Sequence, residues 1–405
     1  MKNYLITEFE YFTSLEKAVT QKNFYFFSSP SNSFEFFACG KTKRFQSIDK
    51  TDLKQILESI QVKNFLNLSA VQIPFLIYYQ KFPDKIKEPI WSNFETSNIL
   101  IFEYIYIRTK DNFYKVEFDK ELFHLNSENH STIFCQIDDS LTTPENIYFQ
   151  MLNRGISYLS SGKLEKIVLC RREVIDFDYC KITKILSKAK STYQNCNTIL
   201  IKNGQSAFLT VTPETLIKKT GGEIFTEALA GSIPADVDNQ RLNELLRTSK
   251  NLKEHTIVRD FILERIQKFV NSVSYNEIPE IKKLRSVYHL QTPIVAKLLD
   301  DIDHEELIFQ LFPTPALSGF PKETAINLIS ELENFERGFF GGFSGFITLN
   351  GDWDFSVCIR CALIKENKAL LYAGGGIMMD SDPELEYYET EAKLLAIKGL
   401  IKSEL

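Results

Sequence analysis

Glu386 and Glu389 stand three residues apart in Pro383-Glu-Leu-Glu-Tyr-Tyr-Glu-Thr-Glu. On a helix that interval puts both carboxylates on one face, with Lys393 one turn further along. A second segment, Lys250-Asn-Leu-Lys-Glu-His, supplies Glu254 and His255. Carboxylates converging from separate helices make a hard oxygen site, suited to a Mg²⁺ ion that keeps some waters and takes a substrate oxygen. The same interval also describes a solvated acidic face, and spacing alone does not choose between the two.

Other segments could carry proton transfer. Lys166 opens the apolar run Lys166-Ile-Val-Leu-Cys. A lysine drawn inward with such a strand loses charge readily and can act as a general base, whereas at a sheet edge it would only blunt the strand. Glu214, beside Pro213 in Thr212-Pro-Glu-Thr-Leu, reads as a buried, protonated acid or as a turn carboxylate. Ala373-Gly-Gly-Gly-Ile could expose backbone N–H groups to an anion, or be a strand-to-helix turn that needs positive φ. It lacks the GxGxxG spacing and the βαβ context of a dinucleotide loop. The prolines and glycine of Leu311-Phe-Pro-Thr-Pro-Ala-Leu-Ser-Gly-Phe-Pro fix a rigid loop that could wall a substrate site. Cys358 and Cys361 form a CxxC, but no second pair or nearby His completes a zinc set.

The elements that must position these groups mix strands and helices without strict βαβ alternation, so the expected class is α+β with mainly antiparallel sheets. In residues 1–150, Phe24–Ser28 and Phe34–Ala38 flank a turn at Pro30-Ser-Asn-Ser, Thr51–Ile60 has helical spacing, and Ile99–Ile107 and Phe113–Phe118 read as strands. This half forms a scaffold without a catalytic constellation. Residues 151–405 hold the motifs. From Thr143 onward the spacing predicts helices over Pro144–Leu159, Asp238–Val270 (interrupted near Asn251), Pro321–Asn334 and Pro383–Leu400. Strands are expected at Lys166–Arg172, Ile199–Ile201, Ser206–Val211, Thr215–Lys219, Glu223–Glu227, Phe343–Leu349, Phe355–Leu363 and Ala369–Tyr372. No Pro/Gly/Ser-rich linker divides the 405 residues, so one large domain is expected.

Composition narrows the function. Hydrophobic residues at 44% and charged residues at 25% are globular proportions and exclude a disordered or collagenous chain. A formal charge of −6 without a basic stripe argues against a nucleic-acid surface. The apolar stretches near Phe75–Tyr79 and Ile99–Ile107 are too short or interrupted to span a bilayer. Glu8 and Glu10 sit where a signal peptide needs an apolar run. Seven scattered cysteines fit a reducing compartment, so a cytoplasmic location is expected.

Taken together and in order, the pieces KIVLCR, TPETL, TEALAGS, KNLKEH, HLQT, FPTPALSGFPKETA, ERGFFGGFSG, CIRCAL and AGGGIMMDSDPELEYYETEAK resemble the chorismate-binding enzymes, and within them the isochorismate synthases. They span Lys166 to Lys393. The resemblance implies a single large α+β domain and a reaction in which water adds at C2 of chorismate while the C4 hydroxyl leaves. It implies Lys166 as general base and Glu214 as general acid. It implies Mg²⁺ on Glu254 and Glu389, with Glu386 direct or through water. The metal would hold the ring carboxylate with Lys393 and with backbone N–H groups at Gly231–Ser232 and Gly374, Gly375 and Gly376. Arg360, in the CIRC strand, would bind the enolpyruvyl carboxylate. His289 of the HLxT motif lies near the substrate in the family, or is a core histidine bonded to backbone.

Relatives with other products leave signatures. Anthranilate synthases have Gln where Lys166 stands and use ammonia. Salicylate synthases share the Lys and Glu, then eliminate pyruvate, and tend to have Thr where Ala316 stands. Ala316 and Leu229 therefore favour stopping at isochorismate, in a monomer without a glutaminase subunit. A salicylate synthase and a non-catalytic chorismate-binding subunit are the alternatives. Menaquinone synthesis is the expected route, with siderophore or salicylate synthesis as the others. The chain departs from the family at Ser232 (usually Thr), Phe312 (often His), Phe340 (often Tyr) and Asn251 (an acid in some relatives).

Overall fold

The strand Ser97–Thr109 is the branch point of the sheet, pairing with Phe34–Phe45 along one edge and with Phe113–Glu117 and Pro74–Gln80 along the other. The computed structural model describes residues 2–30, 33–45, 73–123, 135–234, 242, 248–285 and 287–402. From the branch point one wing runs through Phe34–Phe45, Asn23–Ser28, Asn197–Asn203, Ser206–Thr212, Cys361–Lys365, Lys368–Ile377 and Lys166–Asp176. The other runs through Pro74–Gln80, Phe343–Thr348, Trp353–Val357, Thr215–Thr220, Glu223–Pro234 and Val287–Leu298. All these pairings are antiparallel, as expected of an α+β chain without βαβ units.

The wings face each other across an aromatic core that holds many of the chain's 33 phenylalanines. Phe27 and Phe36 of one wing meet Phe346 of the other edge to face, at ring separations of 5.0 and 5.1 Å. Such contacts add to area burial, and each ring buries a large apolar surface. Helices cover the outer faces: Ser249–Ile266 packs on Glu223–Pro234, Pro383–Lys402 on Lys368–Ile377, and Lys322–Glu333 on Lys166–Asp176. Strands from residues 1–150 are inserted between strands of the remainder, so both parts share one sheet.

The chain passes between the wings twice at neighbouring points. Ser206–Thr212 continues through Pro213–Glu214 into Thr215–Thr220, and Trp353–Val357 continues through Cys358–Arg360 into Cys361–Lys365. The crossovers are tied together: Val357 N donates to Glu214 O at 3.1 Å, and Val211 N donates to Arg360 O at 3.2 Å.

Several expectations are corrected here. Phe355–Leu363 is not one strand, because Arg360 adopts a left-handed φ of 50° and turns the chain between sheets. Gly374–Gly376 is not a turn: it is extended within Lys368–Ile377 and paired with Val168–Cys170. The helix expected from Asp238 is described from Ser249, where the Thr248 side chain accepts from Asn251 N, to Ile266. Its apparent interruption near Asn251 is thus this N-terminal cap; 235–241 and 243–247 lie outside the described residues, as does the helix expected over Thr51–Ile60.

Candidate active site

A cleft opens at the two crossovers. Lys166, Glu214, Leu229, Ser232, Glu254, His289, Ala316, Phe340, Arg360, Gly374, Gly376 and Lys393 line it, together with Tyr372 and Ile359. Residues far apart in sequence meet because the strand ends of both wings converge there. Gly231, Gly375, Glu386 and Glu389, also expected at the site, are not among the residues that line it.

Lys166 is not an edge residue. Its strand pairs with Gly319–Phe320 on one side and Lys368–Ile377 on the other, and its Nζ is buried 3.0 Å from Glu254 Oε1. Burial works against a charged Glu254, but Lys166, Lys250 and Lys393 outweigh it and hold the carboxyl below its ordinary value. Glu214 behaves oppositely. Burial, then the neighbouring Glu227 carboxylate, push its pKa up to about 8, against Lys282, Lys166 and Lys393. Glu214 is thus a buried acid, protonated at neutral pH, rather than an exposed turn carboxylate.

The acids of the last helix are not a solvated face either. Glu386 is buried, and burial followed by the adjacent Glu389 raises its pKa to about 7. Its Oε1 is paired with Lys250, and its Oε2 has no partner. Glu389 Oε1 meets Lys393 Nζ at 2.7 Å, and the same ammonium donates to Gly374 O at 2.9 Å.

Among the described residues no three His, Cys, Asp or Glu side chains close on a common point as a metal site does. The three carboxylates expected to hold Mg²⁺ are each covered by a lysine instead: Glu254 by Lys166, Glu386 by Lys250, Glu389 by Lys393. They nevertheless share one field. Lys250 is held above its ordinary value, despite burial, by Glu386, Glu254 and Glu389 together. The donors are hard oxygens, one is buried without a partner, and the glycine strand leaves them space. A Cβ on Gly376 would lie 2.1 Å from Glu254 Oε1, and one on Gly375 would lie 3.3 Å from Glu386 Oε2. The donor set therefore suits a small divalent cation.

Several other features complete the cleft. Gly374–Gly376 pairs with Val168–Cys170 along one edge, and the neighbouring strand on its other side stops opposite Tyr372, so alternate N–H groups face outward. Gly231 has a φ of 74° at an irregularity between Ala230 and Ser232, and its missing Cβ admits the Asn251 carbonyl. His289 Nδ1 is 2.7 Å from Ser232 Oγ, so its partner is a side chain of the site and not backbone. Burial, then Arg360, Lys393 and Lys282, hold this imidazole well below its ordinary pKa. Arg360 is buried with Nη1 unpartnered. Phe340 stacks on Tyr372 at 6.0 Å and 15°. Phe312 lies in the aromatic core against Phe343, so its departure from the family is a matter of packing. Cys358 and Cys361 are buried free thiols on a turn and a strand.

Sequence reasoning missed Lys250, Glu227 and Lys282. Lys250 and Glu227 lay inside quoted motifs without a role, and nothing in Glu280-Ile-Lys-Lys marks Lys282.

The family model for chorismate binding enzymes matches residues 2–402. The chain belongs to the chorismate-binding enzymes. It is 36% identical over 252 residues to isochorismate synthase MenF of Bacillus subtilis, covering 61% of this chain and 54% of that one. It is 33% identical over 261 residues to isochorismate synthase EntC of Escherichia coli, covering 62% and 66%. The chain spans about half the length of the first curated relatives it matches. Among solved structures it superposes on the menaquinone-specific isochorismate synthase MenF of Escherichia coli with a TM-score of 0.77 at 23% identity, covering 99% of this chain and 94% of that one. For the isochorismate synthase DhbC of Bacillus anthracis the TM-score is 0.73 at 25% identity, covering 96% and 99%. These likenesses agree with a single domain of helices and mostly antiparallel sheet. No helix among the described residues of this family member is long and apolar enough to cross a membrane.

Proposed function

We propose that the chain is a Mg²⁺-dependent isochorismate synthase. Water adds at C2 of chorismate, the C4 hydroxyl leaves, and the double bonds shift, so the product is an isomer of the substrate. The observation that carries the reading is Glu214, a buried carboxyl still protonated at neutral pH, in the same cleft as the buried Lys166 amine.

Hydroxide leaves poorly, so the C4 oxygen needs a proton, and Glu214 supplies it. Water attacks poorly, so Lys166 Nζ takes its proton when the amine is in its uncharged form. Each such transfer contributes about 10²–10⁴ in rate. Arg360 has a buried Nη1 without a protein partner and binds the enolpyruvyl carboxylate as a charge-assisted pair. Lys393, His289, Ser232 and the outward N–H groups near Gly231 and Gly374–Gly376 orient the ring carboxylate. Leu229, Ala316 and Phe340 form apolar walls that fix the ring plane. Glu254, Glu389 and Glu386 would hold Mg²⁺, which supplies charge neutralisation for a dianionic substrate.

In this reading the protein acts in the cytoplasm as a monomer. It uses water and so needs no glutaminase subunit. Incubation with chorismate and Mg²⁺, with products separated by chromatography, tests the reaction. Isochorismate carrying oxygen from isotopically heavy water supports it. Salicylate with pyruvate would make the chain a salicylate synthase, and binding without turnover would make it a non-catalytic subunit. Menaquinone synthesis is the proposed route. A deletion strain that keeps menaquinone but loses a catechol siderophore or salicylate overturns that assignment.

A further inference from the structure

Glu227, on the strand Glu223–Pro234, does not line the cleft but is buried directly behind Glu214. Its Oε1 accepts from Thr215 N at 2.9 Å. Its Oε2 accepts from Lys282 Nζ at 2.8 Å and from Gln291 Nε2 at 2.6 Å. Lys282, on the short strand Glu280–Lys283, also donates from Nζ to Pro213 O at 2.9 Å. The carbonyl just before Glu214 and the N–H just after it are therefore gripped by the two members of one ion pair. Glu214 sits on a crossover, where no regular ladder continues through it, so these bonds replace the support a strand would give.

We propose that Glu227 and Lys282 form a positioning clamp that aims the Glu214 carboxyl into the cleft. The proposal deepens the proposed function and rests on Glu214 as the acid. Two effects act together. The clamp fixes the peptide units on either side of the acid, and a like charge disfavours ionisation of a neighbouring carboxyl. The other charges facing Glu214 are cationic: Lys282 itself, Lys166 from Lys166–Asp176, Lys393 from the last helix, and Arg360 from the second crossover. Without Glu227 these four would draw Glu214 towards its carboxylate form, and the leaving hydroxyl would lose its donor.

Substitution at the two ends of the clamp should move Glu214 in opposite directions. Glu227→Gln removes the like charge and should lower the titration midpoint of Glu214 by about one pH unit, the scale on which a nearby charge acts. Lys282→Met removes an opposite charge and should raise it. The midpoint is read by infrared absorption of the protonated carboxyl, identified as the band lost in Glu214→Gln. The alkaline limb of kcat should move in the same directions. Folded variants that lower kcat while leaving the band and the limb in place would reduce the pair to ordinary structure and overturn the proposal. If Glu227→Gln does not fold, the upward shift in Lys282→Met decides alone. Should the midpoints move as stated while Glu214→Gln keeps wild-type turnover, the clamp stands and the acid role falls.

Discussion

Lys166 Nζ lies 3.0 Å from Glu254 Oε1, with the lysine buried in the wall of the cleft. The proposed base is thus aimed by a residue that would also hold the metal, and neither side chain can be changed alone. Lys166→Ala should abolish turnover, with a loss of about 10²–10⁴. It should also leave Glu254 as a buried charge without its nearest partner, costing roughly 3–5 kcal/mol of stability. Steady-state kinetics together with thermal unfolding check both parts. Near-wild-type turnover in a folded Lys166→Ala protein would remove lysine from the mechanism.

Glu214 makes a prediction about pH. With its pKa near 8 it is protonated at pH 7, so kcat should be sustained there and fall as pH rises through about 8. The base in the same cleft acts with the opposite sign, so the limb that belongs to Glu214 is read as the difference between the native and Glu214→Gln profiles. In Glu214→Gln the residual rate should be about 10²–10⁴ lower and lose this alkaline limb. Native and Glu214→Gln profiles of the same shape above pH 8 contradict the assignment.

The ammonium groups on the carboxylates imply competition. A cation binding at the free oxygen of Glu386 competes with the charge of Lys250 on the other oxygen, a charge matched to the same three acids. Lys250→Met should therefore bind Mn²⁺ several-fold more tightly in calorimetry, even if substrate binding suffers. Activity of the native chain should vanish with a chelator and return with Mg²⁺. Unchanged Mn²⁺ affinity in Lys250→Met would mean that the lysine does not compete with the cation.

How much of this was legible depends on the range of the cause. Lys166 and Glu214 could be picked out because an apolar run beside a lysine, or a proline beside an acid, is a local signal. The antiparallel α+β class followed from the lack of βαβ alternation. Arg360 could not be placed, because nothing in Cys358-Ile-Arg-Cys announces a positive φ at a residue other than glycine. Gly374–Gly376 was legible as special, though the turn that one reading expected is an extended strand. The glycines give room to carboxylates brought by two helices, which is a tertiary fact, and not freedom to turn. Lys282 became meaningful only when its strand came to lie beside Pro213.

Gly376 provides a sharper test of that last distinction. A Cβ there would meet Glu254 Oε1 at 2.1 Å and Lys166 Cε at 3.0 Å, both in side chains that can yield. A Cβ on Gly345 would instead meet the Asp354 carbonyl oxygen at 1.9 Å, inside a paired strand. Gly376→Ala should therefore fold with a melting temperature near that of the native chain, yet lose about 10²-fold in kcat, because a shift of about 1 Å in the base or its partner is costly. Gly345→Ala should lose about 1–3 kcal/mol of stability or more, since backbone must move. If Gly376→Ala is instead fully active, Glu254 does not need its observed place, and the pairing of Lys166 with that carboxylate is irrelevant to turnover. If it unfolds, the glycine serves the sheet rather than the site.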